Sequence, residues 1–168
     1  VETEGKTAAL VTPDRALARR VVAALERWQV RVNDSGGDSL ADTNAGVFAR
    51  FAAEAGLGGL EPVTLLALLK HPLLRLGAAA NAYNTAIAAL ERAVLRGPRP
   101  RAGTGGLIHA LQTFRKTRGD LRRNDPRAFV RPDEIDAATA LIEKLGAVLA
   151  PLETLKPGRH PLALLSQL

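Results

Sequence analysis

Cysteine and methionine are both missing from this chain of 168 residues. Without a thiol, disulfides, thiolate nucleophiles and cysteine-ligated zinc or iron–sulfur sites are excluded within it. Methionine is absent even from position 1, which points to an internal piece of a longer product. Aromatic residues make up only 4%, with one Trp and one Tyr, so aliphatic side chains and alanine must build any core. No apolar run approaches the ~20 residues that span a bilayer, and no basic-then-apolar leader opens the chain. The expectation is a cytoplasmic protein with no membrane contact.

What is present suits a folded chain. Apolar residues reach 46%, enough for a sizeable core and too many for disorder. Arg outnumbers Lys by 18 to 5, and the formal net charge is +6. That charge is unevenly spread: residues 92 to 131 hold 11 Lys or Arg against 2 acids, while both flanks are slightly acidic. The candidate nucleic-acid-binding residues are Arg92, Arg96, Arg99, Arg101, Arg115, Lys116, Arg118, Arg122, Arg123 and Arg127, with Arg131 closing the run. A guanidinium fork matches a phosphate, and each phosphate neutralised releases counterions, so such a run suits a polyanion. An acidic protein surface would satisfy the same charges. Only Phe114 and Phe129 lie among them, which gives base stacking little support.

The pattern along the chain predicts a mostly α protein with a small α/β part. Thr7 to Val11 reads as a buried strand that Pro13 ends. Asp14 then caps a helix with Leu17, Val21, Leu25 and Trp28 along one face, and Val30 to Val32 reads as a second strand. Strand, helix and strand at this spacing predict a right-handed βαβ unit with parallel strands. From Asp42 onward the chain reads as helical. Successive helices carry Val47, Phe48 and Phe51; then Val63 to Lys70 behind Pro62; then Tyr83, Ile87, Leu90 and Val94. A loop from Gly97 to Gly106 follows, then a helix with Leu107, Leu111 and Phe114 and a turn at Asn124-Asp125-Pro126. Asp133 is placed to cap a helix with Ile135, Ala138, Ile142, Leu145 and Leu149; Pro157-Gly158 closes it, and His160 to Leu168 reads as a last helix.

Catalytic motifs are few. Gly5-Lys6-Thr7 lacks the upstream strand, the earlier glycine and the following helix that a phosphate-binding loop needs. His71, His109 and His160 share no metal-ligand spacing, and Asp34, Asp38 and Asp42 do not follow the order of a calcium loop. Ser35 and Ser39 have no His or Asp at a recognisable triad spacing.

Four stretches, Ala8 to Arg20, Arg31 to Phe51, Leu65 to Leu74 and Leu90 to Arg101, together resemble the AddB subunit of bacterial AddAB-type helicase–nucleases, in the style of alphaproteobacterial sequences. The likeness is a pattern spread along the chain, with no single catalytic signature. It implies a βαβ segment of a superfamily 1 helicase-like motor domain over residues 1–59 and a helical inserted subdomain over 60–168. The implied function is a noncatalytic internal region of an ATP-dependent repair machine for double-strand breaks, with DNA and an AddA-type motor-nuclease subunit as partners. ATP, magnesium and an iron–sulfur cluster would belong to that parent, none to this chain, and no catalytic residue carries across. The alternative is a helical protein–protein interaction module with no nucleic-acid role. A third reading, a small enzyme built on the Gly5-Lys6-Thr7 end, has the least behind it.

Overall fold

The computed structural model describes residues 6–37 and 39–155, which divide into two units, Val1–Asp38 and Ser39–Leu168. Gly5, Asp38, Pro157-Gly158 and the helix expected over His160 to Leu168 lie outside the described residues.

In the first unit Asp14 caps α1 (Arg15–Glu26) as its sequence predicts: one carboxylate oxygen accepts from the backbone of Ala16 at 2.9 Å and of Leu17 at 3.2 Å. The expected βαβ unit does not form. No strand occurs among the described residues, and neither Thr7–Val11 nor Val30–Val32 pairs with a neighbour. The second segment is only three residues long, and its first donor is already taken. Gln29 turns left-handed at φ 58, Gln29 N–H returns to Glu26 and Val30 N–H to Leu25, the two bonds of a Schellman turn. Apolar alternation alone does not make a strand; a ladder partner does. None of the described residues of this unit is buried, and Trp28 is 80% exposed.

The second unit is a helical bundle. Thr43 caps α2 (Asn44–Leu57) through Gly46 N–H at 3.1 Å. Leu60 adopts a left-handed φ of 61° and is still 2% exposed, so the turn that ends α2 also plugs the core. Pro62 opens α3 (Pro62–Leu69), where its missing N–H costs nothing. α4 (Asn84–Leu90) runs into a π-helical turn over Glu91–Leu95, closed by Arg96 N–H on the Glu91 carbonyl.

α5 (Gly103–Thr117) begins inside the expected glycine loop. No local side chain caps it. Glu153, at the far end of α6 (Pro132–Glu153), reaches it instead, accepting from Thr104 N–H at 3.0 Å and from the Thr104 hydroxyl at 2.5 Å. A carboxylate at the positive end of a helix is favourable, and nothing local in the sequence announces one from 49 residues away.

α6 is the centre of the bundle, packed against α2, α4 and α5. Its predicted stripe of Ile135, Ala138, Ile142, Leu145 and Leu149 is buried as expected, together with Leu141. Asp133 lies within its first turn and does not cap it; Glu134 accepts from Arg131 N–H at 2.9 Å in that role. No buried side chain among the described residues is polar or charged. No helix among them is long and apolar enough to cross a membrane.

Candidate interaction surface

The π-helical turn packs on α5 and on the 3-10 turn Pro126–Phe129, so the basic run from Arg92 onward is gathered on elements in mutual contact. Six of its eleven cations already face a carboxylate of the chain. Arg92 lies 3.8 Å from Glu134, and its Nε donates to the Ala88 carbonyl. Arg96 grips one oxygen of Glu91 at 2.7 and 3.1 Å while Lys70 takes the other at 2.7 Å. Arg99 meets Glu61 at 3.3 Å and Arg115 meets Asp136 at 2.7 Å. Arg127 folds back on Asp125 at 2.7 Å, and Arg131 meets Asp133 at 3.1 Å and Glu134 at 3.8 Å. The remaining five, Arg101, Lys116, Arg118, Arg122 and Arg123, have no carboxylate partner among the described residues.

Two of these clamps shift the acids involved. The Lys70 ammonium, then the Arg96 guanidinium, hold Glu91 below its ordinary value of 4.5 against the opposing effect of burial. The Arg127 side chain and backbone N–H likewise lower Asp125, and Arg127 is raised in return. A depressed folded-state pKa contributes stability that is complete above the unfolded value and fades as pH falls through the folded one. Wild type is therefore expected to lose stability below about pH 4.5 more steeply than Glu91→Gln, measured by urea melts between pH 6 and 3. Curves that stay parallel through this range would remove Glu91 as a contributor.

Phe114 and Phe129, the two aromatics of the run, have different fates. Phe114 is 7% exposed in the core, whereas Phe129 is 68% exposed at the end of its 3-10 turn. Sequence reasoning found every cation but missed their partners. Asp125-x-Arg127 and Glu91 with Arg96 are close enough in the chain to have been suspected; Glu61 and Asp136 are not.

The other candidates are structural. His71 Nδ1 accepts from Leu73 N–H at 3.2 Å, and its ring lies 5.2 Å from that of Phe48. Asp34 binds Gly36 N–H at 2.9 Å and the Arg15 guanidinium, which holds the acid below its usual range. Asp42 ends the 3-10 turn Leu40–Asp42 and Ser39 precedes it, while His109 lies exposed on α5. No group of three His, Asp or Glu among the described residues could hold a metal ion. No protein-family model matches the chain, and neither a curated protein nor a solved structure matches it.

Proposed function

We propose that this chain is a noncatalytic helical protein-interaction module with no nucleic-acid role. The observation that supports it is the internal neutralisation of the basic run: Glu61, Glu91, Asp125, Asp133, Glu134 and Asp136 lie among its cations. A polyanion track needs cations free along its length, because affinity comes from the phosphates neutralised. A mixed-charge surface would set carboxylates against phosphates and suits a protein face of complementary pattern.

A second reading, the AddB-like scaffold on a DNA path, draws on the resemblance and on Lys116, Arg118, Arg122 and Arg123, which lack carboxylate partners among the described residues. Fluorescence-anisotropy titration with single-stranded and duplex DNA at several salt concentrations separates the two. The interaction-module reading expects weak binding that the Arg115/Arg118/Arg122/Arg123 charge-neutralised variant does not change. Micromolar binding that falls steeply with salt and is lost in that variant would overturn it in favour of the DNA path.

A further inference from the structure

The uncompensated charge is concentrated. Between residues 116 and 123 stand Lys116, Arg118, Arg122 and Arg123 against the single acid Asp120. All four cations belong to one stretch of chain, the end of α5, the 3-10 turn Arg118–Asp120 and the turn that follows.

That stretch is held in shape from beneath. Leu121 packs against the core, and Val130 just beyond is 0% exposed. Between them, backbone bonds run from Asp125 to Arg122 at 2.9 Å, from Ala128 to Asp125 at 2.9 Å and from Val130 to Arg127 at 3.1 Å. Asp125 is occupied by Arg127, so its charge does not cancel that of Arg122 or Arg123. A surface ordered before binding loses less entropy when it is covered.

Phe129 completes the surface. Its 3-10 turn packs against the turn Arg118–Asp120, which brings a solvated aromatic ring to the segment that carries the free cations. Arginine beside an exposed aromatic is the composition of protein-binding hot spots, in which the ring supplies buried area and the cations supply orientation. A nucleic acid would find a single ring to stack on, and the cations that flank it in the chain, Arg127 and Arg131, are already paired.

We infer that the segment Lys116–Phe129 docks an acidic peptide segment of a partner protein: its carboxylates meet Lys116, Arg118, Arg122 and Arg123, and an apolar side chain covers Phe129. This rests on the interaction-module reading and names its surface.

The test uses the full chain, isotope-labelled for amide NMR. The probes are a short fluorescent Glu/Asp peptide with one central Leu, the same peptide with Ser in place of Leu, and a short oligothymidylate. The expected result is that amide shifts from the Leu peptide centre on residues 116–130. The fourfold variant Lys116→Glu, Arg118→Glu, Arg122→Glu, Arg123→Glu should weaken binding by about tenfold or more. Phe129→Ala should weaken the Leu peptide by about fivefold and leave the Ser peptide unchanged. All five positions lie outside the buried core, so unaltered circular dichroism melts confirm that the variants fold.

Equal affinity for both peptides with no effect of Phe129→Ala would overturn the inference and leave the interaction-module reading standing. So would peptide-induced shifts elsewhere in the chain, or no peptide binding at all. Oligothymidylate binding tighter than either peptide and centred on the same amides would overturn both.

Discussion

Ile142→Ala is expected to lower the unfolding free energy by about 3 kcal/mol, within the range of 2–5 for a buried aliphatic truncated to alanine. Ile142 is 0% exposed on α6, the helix against which α2, α4 and α5 all pack. The loss combines the transfer free energy of the deleted carbons with the cost of the cavity they leave. That cavity would lie in the core of the central helix's packing, where collapse is only partial. Val148→Ala, on the same helix but 61% exposed, is the matched control and should change stability by less than about 0.5 kcal/mol. Urea denaturation followed by far-UV circular dichroism measures both. Similar costs at the two positions would mean that α6 is not the central helix of the bundle.

The second large effect is one of sign, at two neighbouring glycines of α5. Helix propensity favours alanine over glycine by about 1 kcal/mol at an ordinary helical site. Gly105 is such a site, exposed and with no atom near the position a Cβ would take, so Gly105→Ala should stabilise by somewhat under about 1 kcal/mol. At Gly106 the Cβ would land on the backbone carbonyl of Arg101. A backbone group cannot swing aside as a side-chain tip can, so the approach to α5 must shift, with the Gly103–Gly59 backbone bond close by. Gly106→Ala is therefore expected to destabilise by about 1 kcal/mol, a typical overpacking cost of about 2 less a propensity gain of about 1. Thermal melts of the two variants should move in opposite directions. A stabilised Gly106→Ala would show that the chain before α5 does not lie against its first turn.

The helices were legible in the sequence because each depends on local information. Asp14 and Pro62 are start signals that act within a turn, and the apolar stripe of α6 marks its buried face at helical spacing. What escaped was set at a distance. The start of α5 is capped by Glu153, so its glycines read as a loop. The π-helical turn leaves Val94 buried and does not interrupt the predicted stripe. The βαβ expectation failed because a three-residue alternation of Val30, Arg31 and Val32 carries no information about a pairing partner. For the candidate surface, composition identified the cations, while pairing with Glu61, Glu134 and Asp136 comes from the fold and decides which charges remain for a ligand.

The position of the lone tryptophan has a spectroscopic consequence. Trp28 is already bathed in solvent at 80% exposure, and it lies in Val1–Asp38, outside the unit that holds every buried residue described. Its emission should look water-exposed in the native chain and change little as the helical bundle melts, leaving the principal unfolding transition nearly dark in that channel. Tyr83, whose hydroxyl donates to the Leu76 carbonyl at 2.9 Å, is the bundle's own chromophore. A blue shift of the tryptophan would instead report something covering the first unit, a background-free signal that needs no dye.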